Sequence, residues 1–152
     1  MNKYILKQLY KINKIIWKIT KPMTVGVRLI LIKEDKVLLV KHTYQDSWYL
    51  PGGGVKKGET FEQAARREFK EELGGELQEL KLFAIYNNFY ENKNDSIVVF
   101  MCNDFTFTGK TDNEIEKYDC FQIENLPQGV SPGSRKRINE YLNNSYPNVG
   151  RW

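Results

Sequence analysis

The sequence predicts one α/β domain on a mixed sheet, preceded by an amphipathic helix. Three observations carry this. The chain has 152 residues, about one domain's worth of core. Strand-like runs at Val25–Leu31, Val37–Val40 and Ser96–Met101 lie on both sides of one capped helical segment, Thr60–Leu73. Finally, Ile5, Leu9, Ile12, Ile16 and Ile19 recur at steps of four and three before Pro22, which lines one helix face and then stops it.

The first helix is also basic. Eight bases and no acid precede Glu34, whereas 15 bases and 19 acids follow, so a net charge of +4 hides a basic head on an acidic body. Lysines interrupt every apolar core in this segment and no small-residue cleavage site follows, so it is not read as a secretory signal. Its apolar stripe needs cover from its own domain, a second subunit or lipid. Protein cover, across a homodimer, is the expectation. Docking on a membrane surface is the lesser alternative, and nucleic-acid contact is not expected, because the helix holds lysines without arginine.

The remaining elements follow in order. Val25, Val27, Leu29 and Leu31 alternate as in a strand, Glu34-Asp35 offers a turn, and Val37–Val40 is a short apolar strand. Trp48–Leu50 is a short extended piece, and Pro51-Gly52-Gly53-Gly54 is a loop. Thr60 is the expected N-cap with Gln63 completing a capping box, and Gly74 the C-cap. Phe61, Ala64, Ala65, Phe69 and Leu73 form the inward stripe. Leu77–Tyr90 reads as strand, residues 91–95 as a polar turn, and Ser96–Met101 as a buried strand extending towards Phe107. Gly109–Glu116 is a loop, Cys120–Ile123 a short strand, and Ser131–Gly133 leads into a last helix with Ile138, Tyr141 and Leu142 inward. The divisions are 1–22 for the basic helix, 23–145 for the domain and 146–152 for a tail.

Composition excludes several classes. Two cysteines, Cys102 and Cys120, and one histidine, His42, make neither a disulfide scaffold nor a Cys/His zinc site; a reducing cytoplasm is the expected setting. No run of about 18 apolar residues marks a bilayer-spanning helix.

The chemistry lies on the central helix. Glu68, Glu71 and Glu72 are spaced by three and four, so Glu68 neighbours both others one turn away. Crowded carboxylates repel, and a hard divalent cation relieves that repulsion. A solvated acidic face balanced by Arg67 and Lys70 is the other reading of this cluster. Gly53 to Thr60 superficially resembles a phosphate-binding P-loop, but Glu59 occupies the lysine slot. No G-x-G-x-x-G dinucleotide fingerprint occurs.

Taken together, Gly53, Glu59, Arg67-Glu68, Phe69, Glu71-Glu72 and Gly74 match the box G-x5-E-x7-R-E-U-x-E-E-x-G-U, so the chain resembles the Nudix hydrolase family. Only the final aliphatic slot departs, holding Gly75. Leu50–Gly54, Glu114-Ile115, Cys120-Phe121 and Leu126-Pro127 extend the resemblance, which covers roughly residues 24–142. It implies an α/β/α sandwich and metal-dependent hydrolysis of a diphosphate linkage in a nucleoside diphosphate derivative. Mg²⁺, with Mn²⁺ as substitute, would be held by Glu68, Glu72 and Glu71 with the Gly53 backbone, while Glu59 and Arg67 pair to fix the loop against the helix. Glu68, Glu71, Glu72 and Glu114 are the catalytic candidates, Glu114 first as general base. Arg28, His42 and Tyr90 are weaker substrate-contact candidates.

Within the family the substrate stays open among nucleotides, dinucleoside polyphosphates, nucleotide sugars and ADP-ribose. The absence of a proline in Tyr86–Tyr90 counts against ADP-ribose, and a tyrosine there points towards dinucleoside polyphosphates. An RNA 5′-end pyrophosphohydrolase and a non-catalytic nucleotide-binding module are the alternatives; intact carboxylates count against the latter.

Overall fold

The computed structural model describes residues 3–90 and 93–152. The elements run α1 (Lys3–Thr20), β1 (Met23–Lys33), β2 (Lys36–His42), β3 (Trp48–Tyr49), α2 (Phe61–Leu73), β4 (Gly75–Leu77), β5 (Lys81–Asn88), β6 (Asn94–Cys102), β7 (Phe105–Phe107), β8 (Ile115–Gln122), α3 (Pro132–Leu142) and β9 (Val149–Arg151). The main sheet has the order β3-β2-β1-β6-β5-β9, with β8 also on β2. It is mixed: β1 runs parallel to β6 and β5 to β9, whereas β1–β2, β5–β6 and β2–β8 are antiparallel.

Strand alternation sorts the apolar residues into two cores. Val27, Leu29, Leu31, Leu38, Val40, Val98 and Phe100 face Ala64, Ala65, Phe69 and Leu73 of α2. Ile30, Ile32, Val37, Leu39, Ile97 and Val99 face the opposite way, towards Ile138 of α3. The near-continuous apolar runs in β1, β2 and β6 are thus strands buried on both faces, and the sheet lies between two helices as the resemblance implies. Burial of each Val, Leu, Ile or Phe side chain here contributes roughly 1.5–3 kcal/mol.

Local expectations hold around α2 except at Phe61, expected inward but 44% exposed because it opens the first turn, one turn short of the buried Ala64 and Ala65. Thr60 accepts from the Gln63 N–H at 3.2 Å, and Gln63 Oε1 accepts from the Thr60 N–H at 2.9 Å. Gly74 is left-handed at φ 61° and donates to the Lys70 carbonyl. The Gly75 departure has a steric cause: a Cβ there would overlap the Phe69 ring.

Elsewhere the structure corrects the reading. The strand expected over Leu77–Tyr90 is broken, with β4 and β5 separate, and the run towards Phe107 breaks after Cys102 so that β7 pairs with β4 in a second small sheet. The strand expected at Cys120–Ile123 begins earlier, at Ile115, because β8 zips along β2 from Lys36 to His42. Leu142 points outward, 40% exposed, while Ile138 is fully buried. Two residues of the turn expected at 91–95, Glu91 and Asn92, lie outside the described residues.

The largest correction concerns residues 146–152, expected as a tail. They enter the sheet through β9, and Trp152 donates its N–H to the Asn87 carbonyl at 3.0 Å. A buried polar network holds them there. Arg137, fully buried, stacks 3.9 Å from the Tyr86 ring centroid and 5.1 Å from that of Trp152. It pairs with Glu140 at 2.8 Å, and the Tyr86 hydroxyl donates to the same carboxylate at 2.7 Å. Trp152→Ala should therefore lower the unfolding free energy by about 2–3 kcal/mol. Urea denaturation measures this, and an unchanged midpoint would return the segment to the status of a tail.

Candidate active site

The glycine loop is laced to β1. The Leu29 N–H donates to the Pro51 carbonyl, the Val27 N–H to Gly53 and the Val55 N–H to the Val25 carbonyl, each at 2.9 Å. At Gly52 φ is +129° and a Cβ would collide with the Val27 carbonyl; only glycine fits. At Gly53 a Cβ would strike the Glu68 carboxylate. These absences let the loop backbone lie directly over the carboxylates of α2.

The helix periodicity places Glu68, Glu71 and Glu72 in distinct environments. Glu72 is buried, 4% exposed, and accepts the Gly52 N–H at 3.0 Å. Burial first, then the Glu68 and Asp112 charges, push its carboxyl up to about 8, against the pull of Arg28 and the Gly52 N–H. Glu68 and Glu71 instead accept from Arg67 Nη1 at 2.6 and 3.0 Å. Arg67 also grips Glu59 through Nε at 2.5 Å and Nη2 at 2.9 Å, and donates from Nη2 to the Gly54 carbonyl at 2.9 Å. The pair between Glu59 and Arg67 expected from the resemblance is therefore present in this bidentate form. It holds Glu59 down to about 2. Lys56 reaches Glu71 at 3.5 Å.

Other elements close on this group. Arg28 of β1 donates to the Gly52 carbonyl, and its charge acts on Glu72, His42 and Tyr44. The loop before β8 brings in Glu114, whose carboxyl is raised by partial burial and by the Asp112, Glu68 and Glu71 charges. The Glu114 carbonyl accepts from the Thr43 N–H at 2.8 Å, stitching that loop to the end of β2. Asp112 braces it by accepting from the Glu114 and Ile115 N–H groups at 2.9 and 3.1 Å.

His42 is buried, 6% exposed, and stacks on Tyr44 with centroids 5.2 Å apart and planes at 26°. Tyr90, by contrast, is 69% exposed after β5, and no described contact joins it to the carboxylates. Asp112, Tyr44 and Lys56 join the site without having been singled out in the sequence. Asp112 stood two residues before Glu114 in the same polar loop, and that proximity was the available signal. Tyr44 and Lys56 carried none, since their placement depends on how β2 and the glycine loop cross α2. A shallow hollow of about 450 Å³ lies at the end of the glycine loop, bounded by Met23, Val25, Gly54, Val55, Lys56 and Phe61, and among the described residues no carboxylate lines it.

The donor set is tested against a divalent cation by its chemistry. It is all oxygen, and it includes a buried carboxyl whose ionisation is opposed by neighbouring acids; both properties suit a hard cation. Among the described residues no three acid, His or Cys side chains already converge on one point, because Arg67 occupies Glu68 and Glu71 while Glu72 faces Gly52. The group fits a cation that competes with Arg67 for these oxygens.

Burial, then the Arg28 charge, holds His42 down to about 4, below its ordinary 6.5. Between these values the unfolded chain binds a proton that the folded chain refuses. The stabilising contribution of neutral His42 is therefore complete above 6.5 and is lost as pH falls through 4. His42→Phe should flatten the acid limb of stability by up to about 1.4 kcal/mol per pH unit over that window. Urea denaturation of both proteins from pH 4 to 7 measures it, and parallel curves would contradict the assignment.

Comparison with known proteins places the chain further. The family model described as NUDIX domain matches residues 22–141. An ADP-ribose pyrophosphatase from Methanocaldococcus jannaschii is 29% identical over 123 residues, 78% of this chain and 72% of that protein. An RNA pyrophosphohydrolase from Hydrogenovibrio crunogenus is 45% identical over 58 residues, 38% of this chain; the match spans about a third, 34%, of that relative's length. Among solved structures, the MutT protein from Methanosarcina mazei Go1 superposes with a TM-score of 0.74 at 20% identity, covering 82% of this chain and 96% of that one. At that identity the likeness shows the fold.

Proposed function

Since the chain belongs to the Nudix family, we propose that it hydrolyses a diphosphate linkage in a nucleoside diphosphate derivative, with a divalent cation bound at Glu68 and Glu72. The observation that carries this reading is the buried Glu72 carboxyl set against Gly52, beside Glu68 and under a loop that only glycine can form. Glu71 and the Gly53 carbonyl complete the proposed donor set. Mg²⁺, or Mn²⁺ in its place, supplies charge neutralisation for the diphosphate and a more acidic water.

The chain's own residues have separate tasks. Arg67 and Glu59 lock the glycine loop to α2 and hold Glu68 and Glu71 on one side of the helix. Arg28, anchored on the Gly52 carbonyl, attracts negative charge arriving over the loop. Glu114, whose raised carboxyl sits among acids, takes the proton of the attacking water. His42 stays neutral at pH 7 and backs Tyr44 as a wall of the site. The hollow beside Lys56 offers apolar surface to a base and cationic charge to a phosphate. Phosphoryl transfer of this kind needs positioning and charge stabilisation more than covalent help.

Two relatives named for RNA and ADP-ribose chemistry bracket the substrate range. The small-molecule reading is favoured here because 19 acids against 15 bases after residue 33 leave the body of the protein without the basic surface an RNA groove needs. The free Cys102 and Cys120 support a reducing cytoplasm as its setting.

A panel of ADP-ribose, nucleoside triphosphates, dinucleoside polyphosphates, nucleotide sugars and 5′-triphosphate RNA, with product identification, tests the proposal. Activity on at least one small diphosphate should require Mg²⁺ or Mn²⁺ and disappear with chelator. Glu68→Gln and Glu72→Gln should each lower kcat by about 10²–10³ or more, while Glu62→Gln and Glu76→Gln stay near the parent. Undiminished turnover after metal removal, or a Glu72→Gln enzyme with full kcat at saturating Mg²⁺, would refute it.

A further inference from the structure

The N-terminal helix resolves into three faces. Leu6 is buried against the domain, 8% exposed, and Tyr10 packs on Tyr44 with ring centroids 5.2 Å apart. Gln45 donates to the Tyr10 hydroxyl at 3.1 Å, and Lys93 lies 3.8 Å from the Trp17 ring centroid. These contacts, from Leu6, Tyr10 and Trp17, hold α1 on the domain by one side. The apolar stripe is on another side and faces out: Ile5 48%, Leu9 45%, Ile12 53%, Ile16 46% and Ile19 81% exposed. The domain does not cover the stripe, which removes one of the three covers its periodicity called for. At about 100° per residue, Lys7, Lys11, Lys14 and Lys18 lie roughly opposite the stripe.

We propose that α1 docks this outward stripe into an anionic lipid surface. Charge complementarity selects the occupant. From Lys3 to Lys21 the segment carries six lysines and no acid. A second copy would bring six more positive charges and no acid in α1 to pair with them, whereas an anionic bilayer offers negative charge to the lysines and hydrocarbon to the isoleucines. RNA would match the lysines but leave five large aliphatics in water. No described helix is long and apolar enough to cross a membrane, and the geometry is that of a helix lying in the interface. Because Tyr10 rests on Tyr44, docking would hold the carboxylate site close to the lipid surface.

The full-length protein is tested by co-sedimentation with phosphatidylcholine vesicles with and without 30% phosphatidylserine, a composition chosen as roughly that of an anionic leaflet. Binding to the anionic vesicles should be about tenfold or more stronger than to the neutral ones, and should fall about tenfold between roughly 50 and 300 mM salt. Two variants separate the contributions. Ile12→Gln with Ile16→Gln removes apolar surface, and Lys7→Gln with Lys11→Gln and Lys18→Gln removes charge. Each should weaken anionic binding about tenfold or more, with helix content by circular dichroism and the thermal midpoint unchanged. Absent or salt-insensitive vesicle binding would overturn the proposal. So would a dimer by light scattering that the isoleucine variant dissociates, or binding to an RNA oligomer that the lysine variant loses and the isoleucine variant keeps.

Discussion

One guanidinium ties the glycine loop to Glu59, Glu68 and Glu71. A guanidinium has five N–H donors in a fixed plane, and Arg67 spends all of them: two on Glu59, one on the Gly54 carbonyl, one on Glu68 and one on Glu71. Through these bonds one side chain of α2 fixes the loop in front of the helix and the acids along it. Lysine could not replace it, since an ammonium has three donors and no planar fork. The same contacts set positive charge against Glu68 and Glu71 where they crowd on one turn of the helix. Arg67 and Lys56 supply the positive charge, and a divalent ion would have to outcompete them.

The fold delivers the rest of the site to that point. Because β2 pairs with β1 only at Ile32 and Lys33, the β1 backbone groups at Val25, Val27 and Leu29 are left to anchor the glycine loop. The loop then hangs over α2, whose own register is set by the capping box at Thr60 and the left-handed Gly74. On the far side of the sheet a second guanidinium, Arg137, plays a purely structural part, clamping Tyr86, Glu140 and Trp152 so that β9 closes the sheet.

The legible parts of this molecule are those where local chemistry and global fold agree. The bounds of α2 could be read from Thr60, Gln63 and Gly74, and the box residues from their spacing, since a helix converts spacing into proximity. The two-sided burial of β2 and β6 was visible as unbroken apolar runs. What was hidden depends on long-range pairing. Nothing local in Val149–Trp152 announces a parallel partner in β5, and Asp112 and Tyr44 meet the carboxylates only because β8 pairs with β2. The N-terminal stripe was visible as a helix face. Which way it pointed was not, because Leu6, Tyr10 and Trp17 form a second, weaker face that competed for the domain and won it through aromatic contacts.

The central claim is that Glu68 and Glu72, rather than the neighbouring acids of the same helix, hold a divalent cation beneath the glycine loop. Its most direct measurement is a crystal structure of the protein soaked in Mn²⁺ with a non-hydrolysable nucleoside diphosphate analogue, using anomalous scattering to locate the metal. The account predicts a manganese peak in contact with the carboxylates of both Glu68 and Glu72, with Glu68 turned away from Arg67 and the diphosphate of the analogue against the same peak. A peak held by Glu71 and Glu114 alone, or none near α2 while the analogue occupies the site, would contradict it.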